Sequence, residues 1–182
     1  MTRYTFLWLA MAALAGCGDK TTANRPDNLL TGNDFEEMEG WIGDTQMPAL
    51  TKEKAHSGVY SVHVGPGVEY SNGFNGTLGK ISPSRITQVQ VKGWVYVPAN
   101  AASVSLITQL NNPADASGKP VLWEALPLDK AAKSPNQWVE VEKTLTLPAN
   151  TGSNFKLQVY LWNGGSGAVA YLDDLQILRA KQ

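Results

Sequence analysis

The sequence predicts an all-β fold, a two-sheet antiparallel jelly-roll sandwich, and three observations predict it. Apolar residues recur with period two in one segment after another, the signature of half-buried strands. Clusters of Gly, Pro and Asn punctuate those segments, drawing on 17 Gly and 10 Pro in 182 residues. No stretch carries a sustained helical period, and no internal repeat or second domain is visible. Eight or so short strands with such turns close most readily into a sandwich.

Taken in order, residues 1–16 read as a signal peptide. Arg3 supplies the positive start and Phe6 to Ala15 is an unbroken apolar run. That run is too short to span a bilayer, which takes about 20 residues; the alternative is an apolar amino-terminal helix packed on the domain. Leu14-Ala15-Gly16-Cys17 resembles the bacterial lipobox, which implies cleavage before Cys17 and acyl chains on that residue. Several chains on one Cys anchor stably where a single chain holds marginally. Residues 17–27 are small and polar and suit a lipid-anchored flexible tether. The folded domain is expected over residues 28–182.

Within the domain, 139–147 alternates most clearly: Val139, Val141, Leu145 and Leu147 take one face, Glu140, Glu142, Thr144 and Thr146 the other. In 87–97, Val89, Val91, Val95 and Val97 oppose Gln88, Gln90, Lys92, Trp94 and Tyr96. Phe155, Leu157, Val159 and Leu161 alternate likewise. Segments 59–64, 103–110, 121–126 and 168–178 are further strands, bounded by turns such as Gly65-Pro66-Gly67 and Asn163-Gly164-Gly165. A short turn near Pro127 to Lys133 is the best helix candidate.

Charge and composition exclude several functions. Net charge is −1 with no Lys/Arg run, which argues against nucleic-acid binding. One Cys and two His leave little for disulfides, Cys-based zinc sites or general-base chemistry. His56 and His63 suit solvated or hydrogen-bonded roles better than catalytic ones, and Glu124 and Asp129 are the only acids near the aromatic candidates named below. No catalytic residue is assigned, and an enzyme is not expected.

The two ends of the domain carry a resemblance. Asn28-Leu29-Leu30-Thr31-Gly32-Asn33-Asp34-Phe35-Glu36, Trp41, and Ala55-His56-Ser57-Gly58-Val59-Tyr60-Ser61-Val62 open it. Trp138-Val139-Glu140-Val141, Thr146-Leu147-Pro148 and Tyr171-Leu172-Asp173-Asp174-Leu175 close it. In this order they resemble carbohydrate-binding modules of the galactose-binding-like jelly-roll group. The resemblance implies that the Phe-Glu and Asp-Asp pairs lie together at one end, commonly around a structural calcium. Glu36 and Asp173 would be its side-chain ligands, joined by backbone carbonyls near Asn33 or Ser57. The parity of Leu175 and Ile177 puts Tyr171 and Asp173 on the inward face, where a carboxylate needs a partner. Calcium is one such partner; a Lys, or backbone N–H groups of the 55–58 loop, are the alternatives.

Sugar rings present apolar faces and hydroxyl rims, so a glycan site needs aromatic platforms beside amides. The non-core faces of the strands offer Trp94, Tyr96, Gln109, Gln158, Tyr160 and Trp162, with Trp123 of undecided side. A loop covering such a face would instead make these aromatics a minor cluster. Trp41 and Trp138 read as structural. The expected function is non-catalytic polysaccharide or oligosaccharide binding by a lipoprotein of the bacterial cell envelope, at the outer membrane or cell surface, held to the membrane through Cys17. The other reading is an envelope structural or protein-interaction sandwich whose aromatic face meets protein partners.

Overall fold

A computed structural model describes residues 26–38, 41, 48–99 and 103–180. The signal segment, Cys17 and most of the tether lie outside the described residues. Ten strands and two single-turn helices follow in the order β1 (Leu29–Asn33), β2 (Leu50–Thr51), β3 (Ser61–Val64), β4 (Phe74–Thr77), α1 (Leu78–Ile81), β5 (Gln88–Tyr96), β6 (Ser105–Asn111), β7 (Leu122–Pro127), α2 (Leu128–Ala131), β8 (Trp138–Thr146), β9 (Lys156–Trp162) and β10 (Ala170–Arg179). The helix expected near Pro127 is α2; α1 and the short strands β1, β2 and β4 carry too little alternation to be read from sequence.

All strand pairs are antiparallel. One sheet runs β2-β3-β10-β5-β8, and β1 pairs with the far end of the same β10 edge that β3 uses. The other runs β4-β9-β6-β7. The two form the expected sandwich. Between them Val62, Val89, Val91, Val95, Leu172 and Ile177 meet Leu106, Leu110, Leu157, Val159 and Leu161, each at most 2 % exposed. Where the two sheets open at β7 and β8, Lys143 Nζ donates to Glu124 Oε2 at 2.8 Å and to the Ala125 carbonyl at 2.9 Å, lacing one edge to the other. Glu124 is therefore a lacing residue.

One expectation of parity is overturned. Leu172 lies opposite Val95 and Ile177 opposite Val91, so both point to the core although they are an odd number of residues apart. A β-bulge between Asp173 and Gln176, with Asp174 at φ 47°, absorbs the extra residue and reverses alternation across it. Tyr171 and Asp173 consequently stand beside Tyr96 and Trp94 on the outer face, not the inner one. Leu172 and Leu175 both crowd inward at the bulge. Gly93 on β5 makes room, for a Cβ there would sit 2.9 Å from Leu172 Cδ1.

Asp173 is nevertheless fully buried, because segment 52–60 roofs the outer face of this sheet. Its Oδ2 accepts the backbone N–H of His56 at 2.7 Å and of Ser57 at 3.1 Å. Glu36 Oε1 accepts the N–H of Val59 and of Tyr60, both at 2.7 Å. Two carboxylates thus clasp one loop from opposite ends. Gly58 lies between those donors at φ 56°, and a Cβ there would come within 2.4 Å of Glu36 Oε1.

Candidate functional site

The outer face of the second sheet carries one register row across all four strands: Asn75 on β4 opposite Gln158 on β9, Gln158 opposite Gln109 on β6, and Gln109 opposite Trp123 on β7. Three carboxamides and an indole therefore stand side by side. Alternation along β9 adds Tyr160 and Trp162 to the same face. Gln158 and Gln109 are ordered by their neighbours. Asn111 Nδ2 donates to Gln158 Oε1 at 2.9 Å, Gln109 Nε2 to Asn111 Oδ1 at 3.1 Å, and the Tyr160 hydroxyl to Gln109 Oε1 at 3.1 Å.

Segment 70–73, leading into β4, raises a wall along this face. A cleft of about 320 Å³ results, lined among others by Tyr70, Asn75, Gln109, Gln158 and Tyr160. The Tyr70 ring meets Tyr160 edge-to-face at 5.9 Å, and Trp123 meets Trp162 likewise at 6.3 Å. Tyr70 is 53 % and Trp123 46 % exposed, two of the three exposed large apolar residues among those described. Each flanks the amide row. Trp162 Nε1 donates to Glu69 Oε1 at 3.2 Å, fixing the indole. Burial pushes the Tyr160 phenol above its usual range, and Glu69 does the same to Tyr70, so both hydroxyls stay protonated donors near neutrality. Asn75 Oδ1 is buried beneath the cleft and has no hydrogen-bond partner among the described residues.

Five of the seven residues expected to bind ligand share this face: Gln109, Trp123, Gln158, Tyr160 and Trp162. Trp94 and Tyr96 do not. They belong to β5 of the other sheet and lie on the opposite side of the sandwich. Alternation tells a strand's core face from its outer face; it does not tell which of two sheets the strand joins. Trp94 is stacked by His56 at 3.9 Å and 11°, and Tyr96 packs against Trp138 and Tyr171 with Lys54 Nζ 4.6 Å above its ring. This is the loop-covered minor cluster. His56 Nδ1 lies 2.6 Å from Asp174 Oδ2, and His63 Nδ1 bonds the Ala49 carbonyl at 2.9 Å. Tyr70, Asn75 and Asn111 were not foreseen; the segments holding Tyr70 and Asn75 show no alternation long enough to assign a face.

At the clasped end, burial raises the Asp173 carboxyl to about 6 against the pull of three backbone N–H groups, with the charge of Asp174 adding to the rise. Among the described residues no basic side chain forms an ion pair with Asp173, and no three His, Cys, Asp or Glu side chains converge as a metal cluster. Carboxylate and carbonyl oxygens suit calcium in kind. Glu36 Oε2 is not used by the loop amides, whereas Asp173 Oδ1 accepts the Asp174 N–H at 2.7 Å.

The chain belongs to a carbohydrate binding domain family, whose model matches residues 27–166. It is a non-catalytic carbohydrate-binding domain. No curated protein matches it. Among solved structures it is similar to the CBM22-1 xylan-binding domain of Paenibacillus barcinonensis Xyn10C, at 23 % identity, covering 85 % of this chain and 96 % of that one with a TM-score of 0.53. A family 16 carbohydrate binding module-2 gives 21 %, 83 %, 99 % and 0.55 in the same order. A xylan-binding domain of CBM 22 gives 18 %, 86 %, 99 % and 0.52. At these identities the likeness speaks to the fold.

Proposed function

We propose that the cleft on the four-stranded sheet binds a neutral, β-linked polysaccharide of the xylan type. The observation that carries this is the pair of exposed rings, Tyr70 and Trp123, on either side of the amide row Asn75–Gln158–Gln109. Rings stack on the apolar faces of sugars while carboxamides bond the hydroxyl rims. The cleft lining contains no charged side chain, which favours an uncharged glycan. The test is a glycan array and affinity electrophoresis on xylan and glucans, comparing wild type with Trp123→Ala, Tyr70→Ala and Trp94→Ala. Loss of retention in the first two with Trp94→Ala unaffected supports the reading. Equal retention in all four proteins refutes the site.

We propose further that the domain is displayed on the bacterial envelope through acylated Cys17. The lipobox-like Leu14-Ala15-Gly16-Cys17 after an apolar run supports this. Metabolic labelling with palmitate, abolished in Cys17→Ser, tests it. Structural calcium at Glu36 and Asp173 is a third proposal, supported by a buried carboxylate with no ion-paired base among the described residues.

A further inference from the structure

Asn111, Gln109 and Gln158 are hydrogen-bonded to one another on the open face of the four-stranded sheet, and the arrangement has a direction. A carboxamide accepts at one end and donates at the other, so each bond it makes decides which end is left for a ligand. Asn111, at the end of β6, holds both glutamines. Its Nδ2 donates to Gln158 Oε1 at 2.9 Å, and its Oδ1 accepts from Gln109 Nε2 at 3.1 Å. Gln109 Nε2 also reaches Gln158 Oε1 at 3.4 Å. Gln109 and Gln158 line the cleft; Asn111 lies outside its lining.

The two glutamines are affected in opposite senses. Gln109 spends its Nε2 on Asn111 and Gln158, while its Oε1, which takes the Tyr160 hydroxyl at 3.1 Å, keeps a second lone pair to offer. Gln158 spends its Oε1 on Asn111 and Gln109. Its Nε2 makes no hydrogen bond among the described residues, and it is not sealed from solvent as Asn75 Oδ1 is. A free donor at Gln158 thus stands beside a free acceptor at Gln109, on residues directly opposite in register and about 5 Å apart. Trp123 fixes the sense of the chain of bonds. Burial raises the Tyr160 phenol while a hydrogen bond from the Trp123 side chain pulls it back. An indole N–H only donates, so it meets the phenol oxygen and leaves the phenol's own hydrogen for Gln109.

We infer that Asn111 is a positioning residue for the glycan, holding both glutamines so that neighbouring hydroxyls of one sugar are met by a donor at Gln158 and an acceptor at Gln109. One hydroxyl accepts from Gln158 Nε2 and the next donates to Gln109 Oε1. This rests on the glycan-binding reading above, and adds to it a polarity that the cleft imposes on its ligand.

The experiment compares the full chain, in mild detergent, with its Asn111→Asp and Asn111→Leu variants. Binding of xylotetraose and cellotetraose is measured by calorimetric titration, and hydrogen exchange of the glutamine side-chain amides by NMR. In the free wild type the Gln109 amide hydrogens should exchange slowly and those of Gln158 rapidly, and saturating sugar should shift the Gln158 signals. Asn111→Asp is isosteric, keeps the acceptor for Gln109 and removes only the donor to Gln158; Lys156 stands opposite to meet the new carboxylate. Gln158 should turn its amide nitrogen toward that carboxylate and become protected, and Kd should rise about tenfold with Tm near wild type. Asn111→Leu, which adds no charge, should weaken binding to a similar degree. Wild-type affinity in both variants, a lowered Tm in Asn111→Asp with the Gln158 amide still exchanging rapidly, or sugar shifting the Gln109 amide in place of that of Gln158 overturns the inference. A wild type with the expected exchange pattern but no affinity for either sugar or for any glycan on the array overturns the glycan-binding reading, and this inference with it.

Discussion

Single side chains decide where this domain binds and how its buried charge behaves. Each exposed ring of the cleft is expected to contribute about 1–2 kcal/mol to glycan affinity. Trp123→Ala and Tyr70→Ala should therefore raise Kd roughly tenfold with Tm nearly unchanged, as measured by isothermal titration and thermal melts. Asn75→Leu removes a buried acceptor that lacks a partner, so the unliganded protein should not lose stability. Asp173 gives a pH signature. Its folded carboxyl titrates at about 6, above the ordinary aspartate value. Native protein then keeps a proton that the unfolded chain has already released, so this residue's contribution is full below about pH 4 and lost as pH rises to about 6. In EDTA, Tm should fall across that window, and Asp173→Asn should flatten the slope. Calcium binding at this carboxylate favours the anion and should also abolish it.

At the scale of elements, the long strands and the short β3 were legible, while β1, β2 and β4 were not. Alternation over nine residues identifies β5 and β8 with their core faces correct, because burial on one side leaves no other pattern. The four residues of β4 contain a glycine and too few apolar positions to show a period, yet β4 supplies Asn75. The outward positions of β6 and β9 were also legible, which is why five of the seven candidate residues share one face. Excluding Trp94 and Tyr96 from that site required knowing sheet membership, which is fixed by long-range pairing. The bulge in β10 misled in another way. One inserted residue moved Tyr171 and Asp173 to the outer face, and the only local trace is the Asp-Asp pair that tolerates φ 47° at Asp174. Loop 54–60 is the element most exposed to mutation. Glu36→Gln weakens two charge-assisted hydrogen bonds and should lower stability by about 1–2 kcal/mol, seen as an earlier urea midpoint.

For the molecule as a whole, two sheets in one sandwich give it two outer faces with different fates. The six-stranded sheet is roofed by a loop that the carboxylate clasp holds down; the four-stranded sheet is left open and carries the cleft. Chelation tests how far the first depends on metal: if calcium binds only the folded state, EDTA lowers Tm and added calcium restores it, while glycan affinity at the distant cleft changes little. No change in Tm with either would leave the four backbone amides as the whole clasp. Breaking the lace between sheets with Lys143→Met should cost on the order of 1 kcal/mol, since it leaves the Ala125 carbonyl and Glu124 without their donor.

The pairing of β1 with β10, continued by hydrogen bonds of 2.7 and 2.8 Å between Asn28 and Arg179, has a practical side. Because the described chain enters and leaves at one pole while the cleft lies along a flank, an attachment made through either end keeps clear of the ligand. A bead, a sensor surface or a fused enzyme joined there would hold the polymer sideways, with both of its free directions running out past the support.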